Sequence, residues 1–404
     1  MKNRIQQYIN IESLSGILLF SGMVLALCIS NSSLYDLYLN LINLPISITI
    51  GEFGLHKPLI KWTNDGLMAI FFLTITLEAK YHFLEGEFTS RENLNLPIIA
   101  ALGGAIVPAI VYYALNYDTF PQAKGWAIPI ATDTAFVLGI LSFFSTRIPL
   151  ALRLFVVALS IIDDIIAVMI LALFYTASIN YIPLLIAAII LLLLAVINLL
   201  KISKLSVYLI LGIGLWLSLV ETGIHGTLAG VLLGVFIPLR VKEMDQKTSS
   251  PLKRLEHALH PIVALIILPI FAFLNCEIAF KELSIADFYS SVTIGIVMGL
   301  FIGKQLGIMS FSFIAIKLGL CKLPCDINWR VYYGTTILCG IGFTFSLFIG
   351  TLSFEDKIFV NQMELGVVLG SLLSALLGVI LLRKATRVSQ SMVENPQNIL
   401  IKKS

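Results

Sequence analysis

The chain has 404 residues, 58% of them hydrophobic and only 13% charged, whereas charged residues make up about a quarter of an ordinary soluble protein. A water-soluble globule of this size could not hide so much apolar surface. This excludes a soluble enzyme, a disordered chain and a nucleic-acid-binding module, and no cofactor is expected. The net charge of +3 is small, so its distribution says more than its sum.

At about 20 apolar residues per membrane-spanning helix, hydropathy predicts twelve spans. In chain order they cover 12–30, 58–79, 95–116, 123–144, 151–175, 182–200, 205–220, 223–237, 255–275, 288–316, 328–350 and 360–382. The first follows Lys2 and Arg4 and looks like a signal peptide. The long apolar series behind it marks it instead as the first retained helix. Spans seven and eight are the weakest, because Glu221 and Gly223 lie between them. The loops are short, so the chain reads as one transmembrane domain with an outer loop at 31–57 and a tail at 384–404. The outer loop contains ISITIGEFGLHK, which alternates around Gly51 as a weak β-hairpin.

Twenty-one of the 27 Lys and Arg residues fall at the N-terminus, in even-numbered loops and in the tail. The positive-inside rule places these segments, and both termini, in the cytoplasm. Lys57, Lys61, Lys124, Lys281 and Lys357 lie on the other side, and Lys304 sits in the middle of span ten. The five cysteines are scattered and form no secretory disulfide framework. Cys321 and Cys325 in CKLPC lack further metal-ligand partners in sequence, and no zinc-type site is expected.

Four charges fall in the membrane interior: Asp133, Asp163, Asp164 and Lys304. Each costs about 2.5–3.5 kcal/mol at a helix centre, on the order of 10 kcal/mol together before pairing. Such residues usually mark an ion path. A structural salt bridge is the plainer alternative, but three acids against one base leave acid uncompensated. Asp163 and Asp164 in LSIIDDIIAVMI point about 100° apart on a helix. Two carboxylates this close in low dielectric resist joint ionisation, and a bound cation relieves that resistance. Protons and a hard cation such as Na+ or Li+ would therefore compete for one site.

Asp133 lies in AIPIATDTAFVLG, between Thr132 and Thr134 and after Pro129. Proline removes a backbone hydrogen bond, so this is either a broken helix lining a cavity or a kink with Thr back-bonding. Gly340 and Gly342 in ILCGIGFTFSLF predict a second break in span eleven. Interrupted spans at matching positions point to a transporter site. An aspartate suits half-helix N-termini and a lysine suits C-termini, the two roles that Asp133 and Lys304 fit.

A second group gathers near the cytoplasmic ends: Glu78 and His82 at the end of span two, with Glu256, His257 and His260 in KRLEHALHP. Glu256 and His260 share a helix face, and histidine titrates near pH 6.5. These are candidates for a pH response, or plain helix-end charges. His225 in TGIHGTLAG is a further candidate, though a lone histidine among small residues is more often simply packed. Asp65 in WTNDG reads as a cap or entrance residue.

The motifs GWAIPIATDTAFVLG, ALSIIDDIIAV, GIHGTLAGVLLGVFIPL, KRLEHALHP, FIGKQLGI and ILCGIGFTFSLFIG carry a resemblance over nearly the whole length. The chain resembles the NhaA-type bacterial sodium/proton antiporters. The resemblance implies an all-α fold of twelve helices, spans 3–5 and 10–12 being inverted repeats and spans four and eleven being broken and crossing. It implies electrogenic, pH-regulated exchange of cytoplasmic Na+ or Li+ for external H+ at the bacterial inner membrane, in a lipid-embedded homodimer paired through the hairpin. Asp163 and Asp164 would bind the ion and the protons. Asp133 and Lys304 would balance charge, with Thr132 beside the break. Glu78, Lys253, Glu256, His257 and His260 match the pH-response region. Tyr81-His82 departs from the Arg-Glu pair typical of the family, which affects the pH set point, and Glu277 stands where glycine is usual.

An intramembrane aspartyl protease needs acids in YD and GxGD motifs on separate helices, and a retinal pump has too few spans to match. A cation channel, or a transporter of another solute on a related crossed-helix fold, stays open as an alternative.

Overall fold

A computed structural model describes residues 2–50, 53–85, 91–144, 148–175, 180–242, 248–323 and 327–394. The hairpin turn at 51–52, Cys325 and residues 395–404 of the tail lie outside the described residues. Among those described, ten helices are long and apolar enough to cross a membrane, and the bent pair Trp329–Leu338 and Phe343–Ser353 makes an eleventh crossing when taken as one span.

The twelve-span expectation meets its exception at 223–237. Gly223 adopts φ 83° and closes the helix Leu205–Thr222 in the left-handed conformation. The next helix, Thr227–Phe236, has ten residues. It rises about 15 Å, half of a hydrocarbon core about 30 Å thick. Glu221 and Gly223 mark in sequence where this shortening begins.

The chain divides into two compact units. One comprises 1–16, 92–163 and 284–404, and so holds both interrupted spans. Its helices Arg91–Asn116 and Ile285–Lys317 approach through small residues. A Cβ on Gly103 would overlap the Gly307 carbonyl, and one on Gly307 would overlap the Gly103 carbonyl. Glycine-to-glycine contact of this kind brings backbones together where no hydrophobic drive separates helix from lipid. It also sets Lys304 Cε about 3.5 Å from where a Gly104 Cβ would stand.

The other unit comprises 17–91 and 164–283. Its core gathers Leu73, Leu77, Leu194, Tyr208, Leu215 and Leu233. Gly230 rests on the Ala69 carbonyl, so the short helix Thr227–Phe236 lies tight against Met68–Leu84. Asn64 and Asn275 exchange two buried side-chain hydrogen bonds of 2.9 Å. The expected hairpin is present as β1 (Pro45–Ile50) and β2 (Phe53–Pro58), antiparallel with Ile48 opposite Leu55. Leu59 N donates to the Leu44 carbonyl at 2.9 Å and closes its base.

Candidate functional site

Span four starts as a 3-10 helix, Gln122–Ile130, containing Pro129. The chain then leaves regular structure, extended at Ala131 and again at Asp133, which caps the helix Thr134–Ser142. Span eleven breaks between Leu338 and Phe343 and bends by 41°. Hydrogen bonds join the two breaks. Asp133 N donates to the Ile341 carbonyl at 2.7 Å, and Ser346 Oγ donates to the Ile128 carbonyl at 2.7 Å.

Each break exposes one helix beginning and one helix end, and each is satisfied separately. Asp133 serves both beginnings. Its carboxylate accepts from Phe136 N at 3.2 Å, from Thr344 N at 3.0 Å and from Thr344 Oγ1 at 2.5 Å. The second of these helices has Gly342 at its N-cap, which brings no side chain of its own. Asp133 supplies the missing acceptor from the other span, with its negative charge at two positive dipole ends.

The two helix ends are served by Lys304 and Thr132. Lys304 Nζ donates to the Ile130 carbonyl, and Thr132 Oγ1 stands 2.9 Å from the Cys339 carbonyl. Both side chains also meet Asp163. Lys304 Nζ lies 2.6 Å from Asp163 Oδ2 and Thr132 Oγ1 lies 2.8 Å from the same oxygen. Asp163 and Lys304 are fully buried. Asp164, the next residue on the same helix, is 6% exposed. A π-helical turn, Gly299–Gly303, immediately precedes Lys304.

The glycines of span eleven are required by closeness. A Cβ on Gly340 would overlap the Leu300 carbonyl and come within 2.6 Å of Ser374 Oγ. One on Gly342 would overlap Ser346 Oγ and approach Leu300 Cδ2 to 2.8 Å.

Asp133, Thr132, Asp163, Lys304, Gly340 and Gly342 thus come together. The pairing is more specific than sequence indicates: Lys304 pairs with Asp163, while helix N-termini compensate Asp133. Thr344 was not singled out in the sequence, although its place two residues after Gly342 is an N-terminal position that an acid would seek. Among the described residues no cluster of three or more His, Cys, Asp or Glu is arranged to hold a resident metal.

The pH-response candidates form a second set. Glu78 Oε1 and His82 Nε2 are 4.0 Å apart, and His257 Nδ1 is 2.7 Å from Glu256 Oε2. Glu256 and His260 are buried. Lys253 Nζ sits 4.7 Å from the centre of the Tyr81 ring and 3.0 Å from Glu85 Oε2, and Arg240 holds the other Glu85 oxygen. Burial pushes the Glu85 carboxyl up, but hydrogen bonds and charge from Arg240 and Lys253 outweigh it and hold the group below its ordinary range. Sequence reading passed over Glu85 and Arg240, since exposed-looking charges at helix ends carry no signal of their own. His225 stands apart from this set. Its electrostatic neighbours are Asp65, Lys61 and Lys57, and Asp65 is itself 2.7 Å from Lys57.

A multi-pass helical membrane protein with two interrupted spans joined at a buried ion pair has the make-up of a secondary transporter. The sequence model of the family Na+/H+ antiporter 1 matches residues 6–382, and the chain belongs to that family. Over 392 residues it is 45% identical to the Na+/H+ antiporter NhaA of Tolumonas auensis, covering 96% of this chain and 97% of the relative. The NhaA of Rickettsia massiliae is 46% identical over 392 residues, 96% of each chain. That of Proteus mirabilis is 43% identical over 380 residues, covering 94% of this chain and 96% of the relative.

Proposed function

We propose that this protein exchanges cytoplasmic Na+ or Li+ for external H+ across a bacterial inner membrane, with both termini cytoplasmic, and so serves sodium and pH homeostasis. The observation that carries this reading is the fully buried Lys304–Asp163 pair held at two joined helix breaks, one residue from a second carboxylate. The names of the relatives support Na+ and H+ as the ions.

Asp163 and Asp164 are the exchange site. Their carboxylates take protons in one state and a hard monovalent cation in the other. Asp133 and Thr132 keep the breaks satisfied throughout the cycle, so the backbone stays open without exposing unpaired polar groups to lipid. Lys304 holds Asp163 ionised until a proton or cation replaces it. Two protons enter for each Na+ leaving, and one net charge crosses. The same charge moves if Lys304 itself releases one of the protons when its pair opens and takes one up when the pair re-forms. Glu78, His82, Lys253, Glu256, His257 and His260 tune the response to pH without carrying ions.

The free edges of β1 and β2 suit pairing with a second copy, which supports a homodimer. Lipid covers faces such as that of Tyr181–Leu199, where Ile182, Leu185 and Leu192 are exposed.

The test is fluorescence dequenching of a pH-gradient dye in everted vesicles, adding each alkali cation in turn. Na+ and Li+ should collapse the gradient with the wild-type chain, and neither should do so with Asp163→Asn or Asp164→Asn. Normal cation-dependent dequenching by Asp164→Asn across several pH values would refute the site.

A further inference from the structure

Several buried hydroxyls in these spans turn back on their own helix. Thr74 donates to the Ile70 carbonyl, Ser218 to Gly214, Thr335 to Val331, Ser353 to Ile349 and Thr386 to Leu382, each four residues earlier and at 2.8–3.0 Å. This is the ordinary way for a helical Ser or Thr to satisfy itself where water is absent.

Ser160 departs from the pattern. It is fully buried, and its Oγ has no hydrogen-bond partner. Three residues further along the same helix, Asp163 is also fully buried, and its Oδ1 has no partner either. Residues three and four apart on a helix are neighbours, about 5–6 Å between Cβ atoms. Ser160 therefore lies beside both carboxylate positions, 163 and 164. Ser374 is another fully buried mid-span serine without a partner. It lies against Gly340, with no acid within four residues of it in sequence.

A buried hydroxyl that forgoes its own backbone, next to an unsatisfied carboxylate oxygen, leaves two hard oxygens without partners on one helix face. Leaving such groups unmet costs free energy, which a bare cation would recover by accepting both as ligands. We infer that the Ser160 hydroxyl is an oxygen ligand of the transported cation, acting with the Asp163 and Asp164 carboxylates. This rests on the exchange site proposed above and adds to it a neutral ligand that takes no part in proton binding.

That distinction gives the test. Half-saturating Na+ and Li+ are measured in the everted-vesicle assay at fixed pH, and the pH profile is measured at saturating cation. Ser160→Ala should raise half-saturation about tenfold, the order expected for losing one polar contact to a charge. Maximal rate and pH profile should stay as in wild type, and Ser160→Thr should restore affinity. Should Ser160→Ala fail to fold, Ser160→Cys keeps the size but offers sulfur, a poor ligand for a hard cation, and should show the same loss. Half-saturation within twofold of wild type would overturn the assignment. A shifted pH profile at saturating cation would also overturn it, because it would make Ser160 a partner of the proton site. Asp164→Asn in the same assay separates the two claims: exchange retained there removes the site, whereas exchange lost there with Ser160→Ala unaffected removes only the serine.

Discussion

Lys304 is the residue on which the charge balance turns. Its amine has no exposure to solvent, and it is held by one carboxylate oxygen and one carbonyl. Removing one member of a buried pair leaves the other charged and unsolvated, at a cost of about 3–5 kcal/mol. Lys304→Ala should therefore lower the melting temperature in detergent markedly, while Lys304→Arg, which retains a donor to Asp163, should lower it much less. Equal melting temperatures for Lys304→Ala and wild type would mean that Asp163 does not depend on its partner. The pH-response candidates divide by the same physics. Glu85 is depressed below its ordinary pKa of about 4.3, so its contribution is full above that pH and is lost only as pH falls through the lower folded value. Glu85 therefore stays ionised around neutral pH and does not itself report pH there. His82, 4.0 Å from Glu78, is the imidazole placed among the pH-response candidates. Replacing Tyr81 with Arg and His82 with Glu should move the activity–pH curve with little change in maximal rate. Glu85→Gln should leave its midpoint in place, with a stability loss of about 1 kcal/mol or less. If Glu85→Gln moved the curve and the double replacement did not, these assignments would be reversed.

At the scale of elements, the two interrupted spans satisfy each other. Asp133 caps its own helix and the one after Gly342, so its loss affects two spans at once. Losing a capping acceptor costs about 1 kcal/mol per helix. Asp133→Ala should destabilise by about 2 kcal/mol, and Asp133→Asn, which keeps an acceptor oxygen, by less. Thermal unfolding of the purified variants would show the order, and Asp133→Ala matching wild type would argue against the double cap. Both breaks were legible in sequence because their causes are local: Pro129 lacks an amide hydrogen, and Gly340 and Gly342 leave room for a carbonyl and a hydroxyl. The span limits were legible for the same reason, since apolar length is written along the chain; span three was expected at 95–116 and appears at Leu94–Asn116. The partners across the breaks were less legible. The Lys304–Asp163 pair joins residues 141 apart in sequence, in a unit where Gly103 meets Gly307 and a π-turn precedes Lys304, and none of these leaves a periodic signal. The shortening of segment 223–237 was visible only as weakness, because Gly223 can end a helix without revealing how soon the next begins.

At the scale of the whole molecule, the unit formed by 1–16, 92–163 and 284–404 contains Asp163, Lys304 and both breaks. Asp163 and Lys304 are fully buried there, so any proton or cation that reaches them must change the count of charges in low dielectric. Two protons exchanged for one Na+ leave one charge uncompensated, and a membrane potential acts on that charge with about 2.3 kcal/mol per 100 mV. The most direct measurement is Na+ uptake into proteoliposomes with a potassium–valinomycin potential imposed and no pH gradient. With two protons exchanged per Na+, uptake is driven whenever the potential is positive inside the vesicle, because inward Na+ then accompanies net outward positive charge; the direction reverses with the sign of the potential. Uptake that ignores the potential would reveal a one-for-one, electroneutral exchange and contradict the two-carboxylate mechanism.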